Sequence, residues 1–163
     1  MHQLRAARID ELAKLTELCV QSKAFWGYDD AFIRNCRDKL SFHPADMENS
    51  QICVAENNHT LLGVAQLLFT NEIAFLERLC VAPANLKTGI GKALFGWSIN
   101  TAHWAGAKRL LIECDHHSAG FYHRMGAREE DSVESRAFPG QQLPRFNITL
   151  TPSRRTLTIL PIL

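Results

Sequence analysis

The chain has 163 residues, a length typical of one domain, so we expect a single folding unit. Hydrophobic residues make up 46% of it and charged residues 21%, which excludes a disordered or collagen-like chain. The 18 Lys and Arg and 17 Asp and Glu residues give a net charge of +1, too balanced for a protein that binds nucleic acid over its whole surface.

The N-terminus and the cysteines indicate a cytoplasmic protein. No apolar run follows the first residues, and no apolar stretch approaches the roughly 20 residues that span a bilayer. We therefore expect a soluble protein that binds neither membrane nor nucleic acid. The cysteines are odd in number and never closely paired, and the scattered histidines lack metal-ligand spacing, so we expect no disulfide framework and no metal site.

The first 50 residues alternate between strand and helix patterns. Leucines and Cys19 repeat at helical spacing after a short apolar strand, and a second apolar repeat follows an aromatic stretch. We predict a strand over 3–9, a helix from Asp10 to about Ser22, and a helix that begins at Asp29 or Asp30 and ends at His43-Pro44.

Three strands come next, and the first two form a hairpin. Asn57-Asn58-His59 separates them, and these residue types accept the positive φ of a tight turn. The predicted strands are 51–56, 60–69 and 73–81.

The second half begins with a long amphipathic helix from Ile90 to Trp104, with Gly106 just past its end. The element order is βα, α, βββ, α, β, α, ββ. Residues 152–163 are apolar but interrupted by prolines, so we expect a domain over 1–151 and a C-terminal tail, either loosely attached or covering a partner subunit. Between the long helix and this tail we predict a strand over 109–114, a helix over 119–125 that ends at Gly126, and a last strand over 145–151.

The segment before the long helix has the features of a diphosphate-binding loop. Gly89 and Gly91 permit close backbone approach, and the free N–H groups at a helix start carry the positive end of the macrodipole. Lys87 and Lys92 add charge, and the Thr88 hydroxyl adds a donor. The alternative is a tight turn into an amphipathic helix. The segment matches neither a Walker A loop nor a dinucleotide-binding fingerprint. Leu86, Ala93 and Leu94 stand where these motifs require other residues.

Two motifs at a suitable separation carry a family resemblance. The first is a strand that ends in Val81-Ala82-Pro83, a Gly-x-Gly loop and a long helix. The second, residues 115–127, is similar to a D-P-N-A-x-x-F-Y-x-x-x-G-F box. From roughly residue 3 to 150 the chain resembles the GNAT superfamily of acetyl-CoA-dependent N-acetyltransferases. It departs from the family at Leu86, where Gln or Arg is common, at Lys87, where Gly is common, and at His116-His117, which replace Pro-Asn.

The resemblance implies an α/β fold with a mostly antiparallel central sheet, flanked by about four helices, in which the fourth and fifth strands splay. It also implies acetyl-CoA as cosubstrate, with the pantetheine arm in the gap between these strands, where unpaired backbone groups need partners. One N–H of 79–81 is expected to hold the oxyanion. The residues that the resemblance assigns to acetyl-CoA are Leu79, Cys80, Val81, Lys87, Thr88, Gly89, Ile90, Gly91, Lys92 and Asp115.

Acetyl transfer to an amine requires a base and an acid. Tyr122 matches the family's thiolate-facing tyrosine and is the predicted acid; the alternative is a packed ring beside Phe121. Glu77, on the cofactor strand, is the predicted base; the alternative is a simple ion-pair partner. A mechanism through an acyl-Cys80 is rejected, because no activating histidine has suitable spacing. The reserve bases are Glu72, Glu113 and Asp115.

The acceptor is expected opposite the cofactor, between the first two helices and the loop before the last strand, as in the family. Trp26 and Tyr28 are predicted to contact its apolar part and Lys23 or Arg136 its carboxylate; the alternative is a packed helix corner with a charged rim. The sequence thus predicts acetyl transfer from acetyl-CoA to a primary amine of a small molecule, or of a peptide. The alternative function is a non-catalytic acyl-CoA-binding sensor or regulatory module. Dimers are common in the superfamily, so a homodimer is a further expectation.

Overall fold

The computed structural model describes residues 1–135 and 139–151, which form an α/β fold with one sheet. The strands are β1 (Gln3–Ala6), β2 (Gln51–Asn57), β3 (Thr60–Thr70), β4 (Ile73–Val81), β5 (Arg109–Glu113), β6 (Arg128–Glu134) and β7 (Gln142–Thr149). The helices are α1 (Leu12–Ala24), α2 (Asp30–Leu40), α3 (Pro44–Asn49), α4 (Ile90–Trp104) and α5 (Ala119–Arg124), with 3₁₀ turns at Ile9–Glu11 and Pro83–Asn85.

The sheet has the order β1-β2-β3-β4-β5-β7-β6. Neighbouring strands are antiparallel except β4 and β5, which are parallel. The ladder between β4 and β5 ends at Leu76 and Ile112, and residues 77–81 of β4 have no partner on this side. The predicted mixed sheet with splayed fourth and fifth strands is therefore confirmed.

A β-bulge interrupts β4 where it leaves β5. The ladder with β3 skips Glu77, so this residue has no direct partner. Leu76 and Leu79 pack against the same core cluster, which strict alternation along a strand does not allow. The two residues between them, Glu77 and Arg78, therefore both face the opposite side of the sheet, where Arg78 stacks on Phe42.

Helices cover both faces of the sheet. One core lies between the sheet and α4 with α5, and the other lies between the sheet and α1. Gly63 allows α4 to approach β3 closely, because an added Cβ there would lie 2.8 Å from the Leu94 side chain and 3.0 Å from the carbonyl oxygen of Cys80.

The N-terminal elements differ from the prediction at their ends. β1 stops at Ala6 rather than at residue 9, because a 3₁₀ turn begins at Ile9. Asp10 does not cap α1; the Glu11 carboxylate instead accepts a hydrogen bond of 2.6 Å from the N–H of Arg8. This hydrogen bond closes the 3₁₀ turn that precedes α1, and no side chain of the described residues caps α1 itself.

An ion cluster ties β1 to this turn and to β2. The Arg5 guanidinium donates hydrogen bonds of 2.8 Å to both Glu11 and Glu56. The hydrogen bond from Arg5 lowers the pKa of Glu56 to about 2 and also lowers the pKa of Glu11. Both carboxylates are therefore ionised at neutral pH and in mild acid.

The second predicted helix is two helices. α2 ends at Leu40, and Pro44 begins α3 instead of ending α2. Proline suits the first helical turn because its missing N–H has no intrahelical acceptor there. The Asp46 carboxylate accepts a hydrogen bond of 2.7 Å from the N–H of His43, which completes this start.

The last strand, β7, covers Gln142–Thr149 rather than 145–151, and β6 had no predicted bounds. Arg136 and the predicted tail 152–163 lie outside the described residues, so the domain boundary stays a prediction. No helix in the described part of the chain has the length and apolar character needed to cross a membrane.

Candidate active site

A cleft of about 220 Å³ lies where β4 and β5 separate, between α1, α5 and the start of β7. It brings together side chains that are far apart in sequence. The predicted site residues that line it are Lys23, Trp26, Glu77, Leu79, Cys80, Asp115 and Tyr122.

The backbone of β4 is open on the side of this cleft. Ala82 donates a hydrogen bond of 2.8 Å to Leu62 on β3. Because residues of an antiparallel ladder alternate in direction, Cys80 also points its N–H and C=O toward β3, whereas Leu79 and Val81 point theirs into the gap. Within residues 1–135 and 139–151, nothing pairs with these groups of Leu79 and Val81. The ladder with β3 already uses the Cys80 backbone, and a role for Cys80 in cofactor binding stays a prediction.

The loop before α4 exposes a set of backbone donors. Lys87 and Gly89 have φ values of 60° and 89°, and the first helical hydrogen bond runs from Ala93 to Gly89. The N–H groups of residues 87–92 have no acceptor in the part of the chain that the structure describes. Nothing lies within 4 Å of a Cβ built on Gly89, so an anion can approach this loop from outside.

Two residues of the loop make contacts within the chain. The Thr88 hydroxyl donates to the carbonyl oxygen of Asn85, so this proton is not free for a phosphate. A Cβ on Gly91 would lie 3.3 Å from the ring of Phe121. Gly91 therefore lets Phe121 of α5 pack on the start of α4.

Tyr122 is only 5% exposed, and its hydroxyl end reaches the cleft. Its ring lies 5.1 Å from the ring of Phe121, 5.6 Å from that of Phe95 and 5.8 Å from that of Phe146, measured between centroids. The hydroxyl has no hydrogen-bond partner among the described residues. Burial raises the pKa of Tyr122 above its usual range, so the phenol keeps its proton at neutral pH.

Glu77 is exposed at the mouth of the cleft, and no described residue forms an ion pair with it. The three reserve carboxylates are engaged: Glu72 with Lys108 at 2.9 Å, Glu113 with Arg145 at 3.9 Å and Asp115 with Lys23 at 3.4 Å. Among these four carboxylates, Glu77 is therefore the one with no ion-pair partner in the described residues.

The corner between α1 and α2 is fixed to the loop after β5. Lys23 pairs with Asp115, and its Nζ lies 4.9 Å from the ring centroid of Tyr28. Trp26 stacks on His117, with ring centroids 5.0 Å apart and planes at 7°. Trp26 and Lys23 line the cleft and Tyr28 does not, and contact of any of the three with the acceptor stays a prediction. Tyr28 supports Lys23.

Arg78 lines the cleft, and the sequence analysis missed it. Its Nη1 donates to the carbonyl oxygens of Leu40 at 3.0 Å and Ser41 at 2.9 Å, and its Cζ lies 4.3 Å from the ring centroid of Phe42. Strict strand alternation would put Arg78 and Glu77 on opposite faces. Only the bulge brings both to the cleft, and nothing in the sequence marks that bulge.

Comparison with known proteins agrees with this geometry. Residues 48–126 match the family model of the acetyltransferase (GNAT) domain. The chain is similar in structure to the PaiA N-acetyltransferase from Thermoplasma acidophilum in complex with coenzyme A, with a TM-score of 0.77 and 20% identity over 91% of this chain and 99% of that one. The sequence matches none of the curated proteins with which it was compared.

Two further structures share the fold. An acetyltransferase of the GNAT family from Staphylococcus aureus Mu50 has a TM-score of 0.72 and 18% identity, over 93% of this chain and 100% of that one. The ribosomal-protein-S18-alanine N-acetyltransferase from Escherichia coli has a TM-score of 0.66 and 17% identity, over 92% and 93%. The family model covers both sequence motifs and the open half of β4. Residues 48–126 therefore match a GNAT acetyltransferase domain, and the described part of the chain has the fold of the compared N-acetyltransferases.

Proposed function

We propose that the protein transfers the acetyl group of acetyl-CoA directly to a primary amine of a small molecule, with both substrates bound at once. One observation carries this proposal: unpaired backbone groups of β4, the unpaired Tyr122 hydroxyl and the Glu77 carboxylate all meet in one cleft. A strand edge, a buried acid and a base are the parts that acyl transfer to an amine needs.

The cofactor side of the cleft suits the shape of coenzyme A. The amide groups of a pantetheine arm complement the N–H and C=O groups that Leu79 and Val81 direct into the gap. The bare N–H groups of residues 87–92 and the start of α4 suit its diphosphate, and Lys87 and Lys92 add positive charge.

The chemical step uses three groups of the chain. Glu77 accepts a proton from the acceptor ammonium, and the freed nitrogen forms a bond to the acetyl carbon. An N–H of Leu79 or Val81 stabilises the negative charge that develops on the acetyl oxygen. As the carbon–sulfur bond breaks, Tyr122 donates its proton to the departing sulfur. The nitrogen, now bonded to the acetyl carbon, loses its second proton through water to the Tyr122 oxygen, and solvent removes the first proton from Glu77.

The thiols of the cleft support direct transfer over an acyl-cysteine route. Burial raises the pKa of Cys114 to about 12 and also raises the pKa of Cys19, so both are neutral thiols at physiological pH. The Cys80 thiol interacts with that of Cys19 rather than with a histidine that would activate it.

Release of free thiol from acetyl-CoA, measured with and without a panel of amines, amino acids and peptides, tests the proposal. We expect release that depends on the amine. If acetyl-CoA raises the melting temperature but no amine releases thiol, the proposal fails and the acyl-CoA-binding module is favoured. A cytoplasmic location and a homodimer stay predictions from the sequence.

A further inference from the structure

Two of the charged side chains that line the cleft are not used in ion pairs among the described residues. The charged side chains of the lining are Lys23, Glu77, Arg78, Glu113 and Asp115. Lys23 pairs with Asp115, and Glu113 pairs with Arg145. Glu77 and Arg78 have no ion-pair partner in the described ranges, and they do not pair with each other. One negative and one positive group are thus left free in the same cleft.

The bulge in β4 places these two charges side by side. Because Leu76 and Leu79 share one face of the sheet, Glu77 and Arg78 share the other, toward α1 and α2. This face is the acceptor side of the cleft, opposite the face that packs on α4. A ligand that spans both residues therefore needs opposite charges a few bonds apart.

The Arg78 guanidinium is held in a fixed orientation. Nη1 donates to the carbonyl oxygens of Leu40 and Ser41, and Phe42 stacks on the guanidinium. Nε and Nη2 have no acceptor in residues 1–135 and 139–151, and neither is buried. A preoriented guanidinium with free N–H groups is suited to bind a carboxylate.

We infer that the acceptor is a zwitterion, an amine that carries a carboxylate as in a free α-amino acid, with its ammonium at Glu77 and its carboxylate at Arg78. The inference rests on the proposed amine acetylation. Lys23, which the sequence predicted as a carboxylate partner, is already bound to Asp115. Arg78 also disfavours a polyamine, because a second ammonium would lie against the guanidinium.

The first test needs no mutation. The rate of thiol release is measured with free L-amino acids, with their carboxamides and with the corresponding decarboxylated amines. We expect kcat/KM to be at least about tenfold higher for the free amino acids, the effect of one charge-assisted hydrogen bond. Equal or faster turnover of the carboxamides overturns the inference but leaves the proposed acetylation intact. If no acceptor of any kind releases thiol, the proposed function fails and the inference with it.

Variants then test whether Arg78 causes the preference for free amino acids over their carboxamides. In Arg78→Gln we expect KM for the best amino acid to rise at least about tenfold, with kcat and the KM for its carboxamide little changed, and partial rescue by Arg78→Lys. Arg34→Gln makes the same charge change on the exposed surface of α2 and should keep the preference. If Arg78→Gln weakens both acceptors equally, Arg78 has only a structural role and the assignment is overturned.

Discussion

The two sides of the cleft offer different kinds of groups to the proposed ligands. On the cofactor side the available groups belong to the backbone, namely the open edge of β4 at Leu79 and Val81 and the amides of residues 87–92. On the acceptor side they are side chains, among them Glu77 and Arg78. Only a substitution by proline removes a backbone donor, so other substitutions block the cofactor side only by added bulk or charge. The acceptor side is open to change by single substitutions.

This contrast separates the parts of the chain that set the proposed cosubstrate from those that set the proposed acceptor. The cofactor side depends on two strands that separate and on a turn into α4 that leaves amides unpaired. The acceptor side depends on which side chains β4, α1 and the loop after β5 present. Specificity can therefore change without any change of fold.

The largest expected effect is a loss of affinity for acetyl-CoA on the cofactor side of the cleft. In Gly89→Glu, a residue with φ of 89° gains a side chain and a negative charge where the diphosphate is proposed to bind. We expect acetyl-CoA affinity, measured by calorimetry, to fall at least about hundredfold. Gly96→Glu, in α4 with open space around its Cβ position, is the matched control. Normal affinity in Gly89→Glu would remove the loop from the account.

The next largest effect is expected on kcat and not on the affinity for acetyl-CoA. Tyr122→Phe keeps the ring packing but removes the proton donor, so kcat should fall by about a hundredfold while acetyl-CoA affinity stays nearly unchanged. Steady-state kinetics and calorimetry measure the two quantities. Tyr28→Phe is the control, because this tyrosine does not line the cleft. Lost acetyl-CoA binding with unchanged kcat in Tyr122→Phe would contradict the assigned role.

A smaller effect is expected on the acceptor side. Glu77→Gln should lower kcat/KM about tenfold at neutral pH, since water can take over part of the proton transfer at this exposed position. The deficit should shrink as pH rises, because more of the acceptor is then already deprotonated. Glu72→Gln, whose carboxylate pairs with Lys108, should behave like the wild type in the same pH series. A deficit that grows with pH would exclude Glu77 as the base.

The smallest effect on activity belongs to the ion cluster, which lies outside the cleft. Arg5 lowers the pKa of Glu56 to about 2, well below the usual value near 4.3. This stabilisation is fully present above the usual value and is lost as pH falls toward 2. Acid unfolding of Arg5→Gln, followed by circular dichroism, should therefore occur at higher pH than that of the wild type, with activity at pH 7 retained. An unchanged acid transition would show that the cluster does not stabilise the fold.

The same contrast accounts for what the sequence could and could not predict. The hairpin at Asn58 and His59, both with positive φ, and the start of α4 at Ile90 follow from local residue types, and both predictions are confirmed. The pairing of Lys23 with Asp115 and the exposure of Arg78 to the cleft depend on tertiary packing. Such contacts between distant residues leave no local pattern, so the acceptor side was harder to predict than the cofactor side.

The central claim is that the open amides of β4 and of the loop before α4 bind coenzyme A. Amide hydrogen exchange, measured by NMR with and without coenzyme A, tests it residue by residue. The account predicts that Leu79, Val81 and residues 87–92 become protected on binding, while Cys80 and Ala82, which already bond to β3, change little. Unchanged exchange at Leu79, Val81 and the loop under saturating coenzyme A would contradict it.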